Sequence, residues 1–218
     1  MIFAKIDFIN LLPFYTYIKK NISSSQIKQI INYKKSYPSA INKKFKKRQI
    51  DAAFISSIAS KRSKCLNIGI VAPKEVLSVL VLNGKSKNDF QSDTSNALAK
   101  ALKINGEIII GDKALYHYHN SQNKDFVDLA QIWNDKYNLP FVFARLCINK
   151  HKKYLDKLSK DFLKTKVKIP YYILNKYSKK TKLSNKQILE YLEKITYKIG
   201  YKEKQSLKIF FKLTKGNK

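Results

Sequence analysis

Apolar and polar positions along this chain repeat with two periods, and the places where the period changes divide it into elements. Ile2–Phe8 alternates apolar and charged residues, which predicts a short strand. Asn10-Leu11-Leu12-Pro13 ends it, and Pro13 suits the first turn of a helix over Phe14–Ile18, where no N–H is needed. Ser23–Ser25 reads as a loop and Gln26–Asn32 as a second strand. Ser39 stands where its hydroxyl can cap a helix over Ala40–Arg48. Ile50–Ile55 is a short apolar run, as expected of a buried strand, and it delivers Ser56 and Ser57 at its end. Ser57–Ser63 is loop or helix, and Asn67–Ala72 and Val76–Leu82 are further strands, the second carrying Ser78 as its only hydroxyl.

Asn83–Gln91 is a polar connection, followed by Ser92-Asp93-Thr94-Ser95 ahead of the Ala/Leu-rich stretch Asn96–Leu102. Hydroxyls and a carboxylate before such a stretch mark a capped helix start, whose free N–H groups also suit an anion. Glu107–Ile110 is a strand ended by Gly111-Asp112, and Lys113–His117 opens a helix. Asp125–Asn138 places Phe126, Leu129, Ile132 and Trp133 on one helical face, and Leu139–Ala144 is a return strand. Beyond His151 the pattern is helical: Tyr154–Leu163, Tyr171–Tyr177, Lys186–Ile199 and Gln205–Leu213. Ser184 with Gln187 three residues on forms a capping box for the third of these.

Strands alternating with helices indicate an α/β protein with a parallel or mixed sheet. Two strand groups, with a polar junction near 83–91 and a return near 141–146, predict two lobes joined by two crossovers. The first lobe comprises residues 1–82 with 145–218, and the second comprises 83–144. Ligands of such proteins bind at strand ends and between lobes.

Charge changes the picture only in part. The 218 residues carry a formal net charge of +29, which favours anionic partners. Yet the arginines are Arg48, Arg62 and Arg145 alone, whereas nucleic-acid readers lean on the bidentate guanidinium. Lysine here accompanies abundant Asn, Ile, Tyr and Phe, a set encoded by A/T-rich codons, and the charge is scattered. The expectation is a small anionic ligand, with no nucleic acid and no membrane as partner. Cys65 and Cys147 lie far apart without a CxxC pair, so a disulfide framework or zinc site is not expected. The first residues lack the apolar segment of a secretory leader, and no run approaches the ~20 apolar residues of a membrane helix. A cytoplasmic, reduced protein is expected.

Conventional catalytic patterns are scarce. His117 and His119 have only His151 as a further histidine, so no metal is expected. There is no nucleophile elbow, P-loop or GxGxxG. What the sequence offers is a set of small polar groups at element ends: Asn10, Ser56, Ser57 and Ser78 from the first half. Asp93, Thr94, Ser95 and Asp112 come from the second. Such groups orient a ligand and are poor proton-transfer catalysts.

The same element ends carry a family resemblance. In chain order they are Ile6–Asn10 with Pro13, Ile50–Ser57, Leu77–Leu80, Asp93–Leu98, Ile110–Leu115, and Asp128-Leu129 through Trp133 to Leu139–Ala144. Tyr191-Leu192, Ile195, Tyr197 and Phe210 extend the match through the tail. Together they resemble the chorismate dehydratases of the futalosine route to menaquinone. The resemblance implies a type II periplasmic-binding-protein-like fold, two lobes closing over the ligand. It implies loss of water from chorismate to give 3-[(1-carboxyvinyl)oxy]benzoate, with no metal or organic cofactor and with the substrate's own enolpyruvyl carboxylate as base. The family's ligand contacts fall on Asn10, Ser57, Ser78, Thr94 and Ser95, with Asp112 and Pro140–Ala144 shaping the cleft. Asn10 and Ser78 are the expected catalytic residues, and Ser56, Ser57, Asp93, Thr94, Ser95 and Asp112 the substrate-binding ones. The chain is short between Leu102 and Glu107, and Ser60 stands where the family often has an aromatic residue. The same fold serves the sister enzyme 1,4-dihydroxy-6-naphthoate synthase and non-catalytic anion-binding proteins. The resemblance leaves a monomer or a homodimer open.

Overall fold

The computed structural model describes residues 1–22, 25 and 36–215. The expected loop at Ser23–Ser25 and strand at Gln26–Asn32 fall wholly or mainly outside the described residues. The architecture is mixed α/β with two sheets. Strands β1 (Phe3–Ala4), β2 (Ala52–Ser56), β3 (Cys65–Ala72), β7 (Phe141–Ile148) and β8 (Thr196–Lys198) form the larger, in the order β1-β2-β7-β3-β8. Strands β4 (Val79–Leu82), β5 (Glu107–Ile110) and β6 (Phe126–Asp128) form the smaller, in the order β5-β4-β6. Among the strand pairs of the described residues, β1–β2 is parallel and the others are antiparallel.

The first crossover leaves the larger sheet after β3 and enters the smaller one at β4. The second returns through helix α5 (Leu129–Tyr137) into β7. Strand β7 inserts between β2 and β3 and is antiparallel to both, so the halves of the larger sheet meet only through this late segment.

One carboxylate fixes the geometry of both crossovers. Asp128 caps α5, its Oδ1 accepting from the Ala130 and Gln131 N–H groups at 2.8 and 3.1 Å. Its Oδ2 accepts from the Val76 and Leu77 N–H groups at 2.9 and 2.6 Å. Leu77 has φ of 58°, a left-handed conformation that a branched side chain adopts only when its surroundings impose it. Burial raises the Asp128 pKa, and the four donors work against that rise.

Several elements depart from the sequence expectation for identifiable reasons. The first strand is two residues, not seven, because Ile6 and Phe8 leave the sheet to line an internal pocket. Ser39 does not cap its helix; α2 (Pro38–Lys46) starts one residue earlier with Pro38 in its first turn, and the Ser39 hydroxyl donates to the Phe90 carbonyl. The predicted helix over Asp125–Asn138 is a strand followed by a helix, since Asp128 terminates β6 and caps α5. Likewise Lys186–Ile199 is helix α8 (Asn185–Glu193) and then β8, which adds an edge strand to β3. The capping box of Ser184 and Gln187 is present.

Cys65 and Cys147 are joined by a disulfide, which corrects the expectation of none. Separation in sequence says nothing about register, and β3 and β7 set the two cysteines directly opposite each other.

One large apolar cluster makes up most of the core, with two small ones beside it. Phe14, on helix α1 (Leu12–Asn21), packs edge-on against Phe54 and Phe162 at 5.0 and 5.1 Å. Trp133 lies 5.1 Å from Phe141 and 6.1 Å from Phe210, and its indole N–H donates to the Ser206 hydroxyl at 3.0 Å. These contacts weld α5 to the larger sheet and to the last helix, α9 (Tyr201–Leu213).

Asp128→Ala leaves four backbone N–H groups without their acceptor. It is expected to cost about 3 kcal/mol in urea unfolding. A loss below about 1 kcal/mol would mean that water takes over those bonds. The disulfide predicts that neither cysteine of protein purified without reductant alkylates natively, and that both do after reduction in denaturant, as read by mass.

Candidate active site

A cavity of about 60 Å³ lies where the two sheets face each other. The larger sheet and its leading loop contribute Ile6, Phe8, Asn10, Ser56, Phe143 and Ala144, among others. The smaller sheet and the crossover contribute Val76, Ser78, Val79, Ile110 and Gly111, and Ser92 and Ser95 come from the start of helix α3 (Asp93–Leu102). The walls are thus apolar with a few convergent hydroxyl and amide groups, the usual composition of a small-ligand site.

Asn10 follows β1 in a short 3-10 turn, Ile9–Leu11. Its carbonyl accepts the Tyr197 hydroxyl at 2.7 Å. Its side-chain Oδ1 is buried without a hydrogen-bond partner, a costly state for a protein oxygen unless a ligand's donor meets it. Ser78 stands just before β4, outside the strand that was expected to contain it, is 2% exposed, and its hydroxyl accepts the Tyr191 O–H at 2.9 Å. Burial pushes the Tyr191 pKa upward, and hydrogen bonding to Ser78 and Asn10 works against it. Two tyrosines from the C-terminal segment therefore hold the two expected catalytic residues.

The expected binding residues divide between pocket and frame. Ser56 and Ser95 line the pocket. The Ser56 hydroxyl accepts from the Asn42 amide at 2.7 Å, and the Ser95 hydroxyl pairs with that of Ser92, which also caps α3. Ser57 does not line it: its N–H and hydroxyl both go to β7 carbonyls, of Phe143 and Val142. Thr94 is turned inward, its hydroxyl accepting from the Ile58 N–H at 3.1 Å. Asp93 lies behind the wall, 3.4 Å from the Asn42 amide. Asp112 also stands behind it, on helix α4 (Gly111–Asn120). Its carboxylate faces the Ile9 N–H at 3.5 Å and the Lys180 ammonium at 3.9 Å, and burial raises its pKa. Its neighbour Gly111 has φ of 63° and would set a Cβ 3.1 Å from the Phe8 ring, so only glycine closes this wall comfortably.

Sequence reasoning missed the clamp on the Asp7–Asn10 loop. Burial acts to raise the Asp7 pKa, but the Tyr177 hydroxyl at 2.6 Å, with Lys5 and Lys180, holds it well below the carboxylate range. Asn42 was also missed, and nothing in a single Asn on a lysine-rich helix signals it. Tyr191 and Tyr197 were legible only as part of the tail pattern. His117 stacks edge-on against Phe126 and His119 against Tyr118, so both take part in aromatic packing.

Fold and pocket define a class: a mixed α/β protein with a small cavity between two sheets, lined by apolar groups with an amide and a few hydroxyls. A crystallised Archaeoglobus fulgidus protein shares this fold with a TM-score of 0.66 at 12% identity, over 98% of this chain and 96% of the other. The menaquinone biosynthesis family matches residues 87–216. A protein from Campylobacter jejuni called chorismate dehydratase is 49% identical over 99% of this chain and 98% of its own length. The chain belongs to the menaquinone biosynthesis family.

The Tyr191–Ser78 bond is expected to couple the two residues. Tyr191→Phe and Ser78→Ala each cost about 1 kcal/mol, and the double variant costs less than their sum by about the same amount. Strict additivity in a denaturation cycle would deny the bond.

Proposed function

We propose that this chain is a chorismate dehydratase, eliminating water from chorismate to give 3-[(1-carboxyvinyl)oxy]benzoate on the futalosine route to menaquinone. The identity of 49% to a relative of that name supports the reading, and one observation carries it into the site: the unpartnered Asn10 Oδ1 inside the pocket. An amide presents an acceptor and a donor together. Asn10 can therefore orient the ring hydroxyl of chorismate through Oδ1 and polarise its oxygen through Nδ2 as it departs.

The reaction removes a ring hydrogen and the neighbouring hydroxyl and leaves an aromatic ring. Aromatisation supplies the driving force, so the protein has to orient the substrate and exclude water. Among the described residues, no ionisable side chain lines the pocket. That suits a mechanism in which the enolpyruvyl carboxylate of the substrate takes the proton. Ser78, Ser56 and Ser95 would meet carboxylate oxygens, aided by the positive dipole ends of α3 and α4. Thr94, Ser57, Asp93 and Asp112 act from behind by holding these elements.

The fold reading that accompanies this function is the two-lobed, periplasmic-binding-protein-like one. The first lobe, residues 1–82 with 145–218, centres on the larger sheet; the second, 83–144, carries most of the smaller. The sheet memberships favour crossovers just before Val79 and Phe141. A cavity of about 60 Å³ has room for only a few waters, against roughly 300 Å³ or more for small-ligand pockets. Substrate entry then requires the lobes to part. No helix of the described residues is long and apolar enough to cross a membrane. We assign the protein to the cytoplasm, where Cys65 and Cys147 would be thiols until oxidised.

Incubation with chorismate, followed by chromatography and mass, is expected to show loss of one water faster than in the no-enzyme control. Asn10→Ala is expected to lower kcat at least about 100-fold with an unchanged melting curve. Unchanged chorismate would turn attention to the sister naphthoate-forming reaction, and near-normal turnover in Asn10→Ala would remove that residue from the chemistry.

A further inference from the structure

Arg145 is the exception among the basic residues. Arg48 and Arg62 are exposed, as are nearly all of the lysines, and a drift of codon composition accounts for cations in such places. Arg145 instead lies mid-strand on β7, paired with Ile55 on one side and Gly69 on the other, and is only partly exposed. Its Nε is buried without a hydrogen-bond partner, and no carboxylate among the described residues forms an ion pair with it. Burial pulls its pKa down, with no neighbouring charge to offset the cost. A guanidinium in that state is expensive unless an anion completes it.

The surroundings suit such an anion. Arg145 lines a groove of about 440 Å³ against α9, together with Lys204, Lys208, Lys212 and Lys215. The lysines at 204, 208 and 212 recur every four residues, so they stand in one row along the helix. None of these lysines has an ion-pair partner among the described residues. Leu207 and Phe211 supply an apolar surface between them, and Lys61 stands 5.9 Å from the Phe211 ring. The groove is concave and of small-ligand size, which favours a compact molecule over an extended surface.

We infer that this groove is a second anion site, separate from the pocket between the sheets, for a small ligand bearing two or more negative charges on an apolar or aromatic body. The guanidinium fork takes one charged group, the lysine row takes the other, and the body rests on Leu207 and Phe211. An aryl phosphate and an aromatic dicarboxylate share this chemistry.

Phenyl phosphate and phthalate serve as probes, with inorganic phosphate as the charge-only comparison, in calorimetric titrations of the full chain at fixed salt. At least one aromatic probe is expected to bind saturably and more tightly than phosphate, and to raise the melting temperature. Arg145→Gln is expected to weaken it about tenfold or more and to abolish the thermal shift. Lys208→Gln, an exposed change that leaves folding intact, is expected to weaken it several-fold, and Lys153→Gln on a distant helix to leave it unchanged. The proposal fails if no aromatic probe saturates, or if phosphate binds as well as either. It also fails if Arg145→Gln binds like the parent, or if Lys153→Gln costs as much as Lys208→Gln, which would signify a diffuse field. Arg145-dependent sedimentation with phosphatidylglycerol vesicles, without binding of either probe, would replace it with a membrane-facing surface. None of these readouts requires turnover of chorismate, so the site stands or falls apart from the dehydratase reading.

Discussion

Asp128 holds the molecule's two sheets to one geometry. A carboxylate that accepts four backbone N–H groups, two from the outgoing crossover and two from the helix that returns, makes the two connections a single joint. The conformation of Leu77 follows from it, and with it the direction in which β4 departs. Ser78 is the next residue, and its own carbonyl accepts the Gly111 N–H at 2.8 Å, which ties β4 to the start of α4. The second wall of the pocket is therefore assembled by backbone hydrogen bonds that radiate from one buried side chain. Such bonds fix position closely, because all four donors are backbone groups with no rotamer to lose and only the Asp128 side chain has to be ordered.

The opposite wall solves a different problem. The loop from Asp7 to Asn10 has left its sheet and must be held without ladder bonds. It is held by groups from the far end of the chain: Tyr177 and Lys180 on Asp7, and Tyr197 on the Asn10 carbonyl. The C-terminal helices cover the larger sheet and also place tyrosine hydroxyls where a strand has stopped supplying partners. Tyrosine fits this task because its ring is buried as core while its hydroxyl reaches a polar target. The ring of Tyr191 is buried and its hydroxyl meets Ser78, so both catalytic candidates, Asn10 and Ser78, lean on one C-terminal segment.

How much of this was legible in sequence depended on whether the governing interaction was local. Helix starts with their own caps, Ser92 and Ser184, were read correctly because the cap and its target lie within three residues. Asp128 was misread as mid-helix because its role combines a local cap with two donors from residues about fifty positions earlier. Lys186–Ile199 failed in the same way, since the pairing of β8 with β3 overrides a helical pattern that ends at Glu193. The polar set at element ends was found, but not its division into pocket and frame. Ser56 and Ser57 are adjacent and chemically identical, yet Ser56, the last residue of β2, lines the pocket, whereas Ser57, one residue past the strand, turns its hydroxyl to a β7 carbonyl. Cys65 and Cys147 were set aside for their distance in sequence, which strand register made irrelevant.

The distribution of charge follows the same division between near and far. A net charge of +29 draws anions from a distance, yet no charged side chain lines the pocket between the sheets. The two tasks conflict if one group performs both: a lysine inside the pocket would bind a dianion tightly in its ground state and stabilise it against reaction. Dipoles from hydroxyls, an amide and helix starts are weaker, fixed in direction, and can be aimed at the charge that shifts as the hydroxyl leaves. On the proposed reading, attraction is thereby left to the scattered surface lysines, and selectivity to neutral groups locked by Asp128 and the tyrosines. Arg145 fits neither role, being neither scattered on the surface nor among the residues that line the pocket, which is why its unpaired charge calls for a ligand of its own.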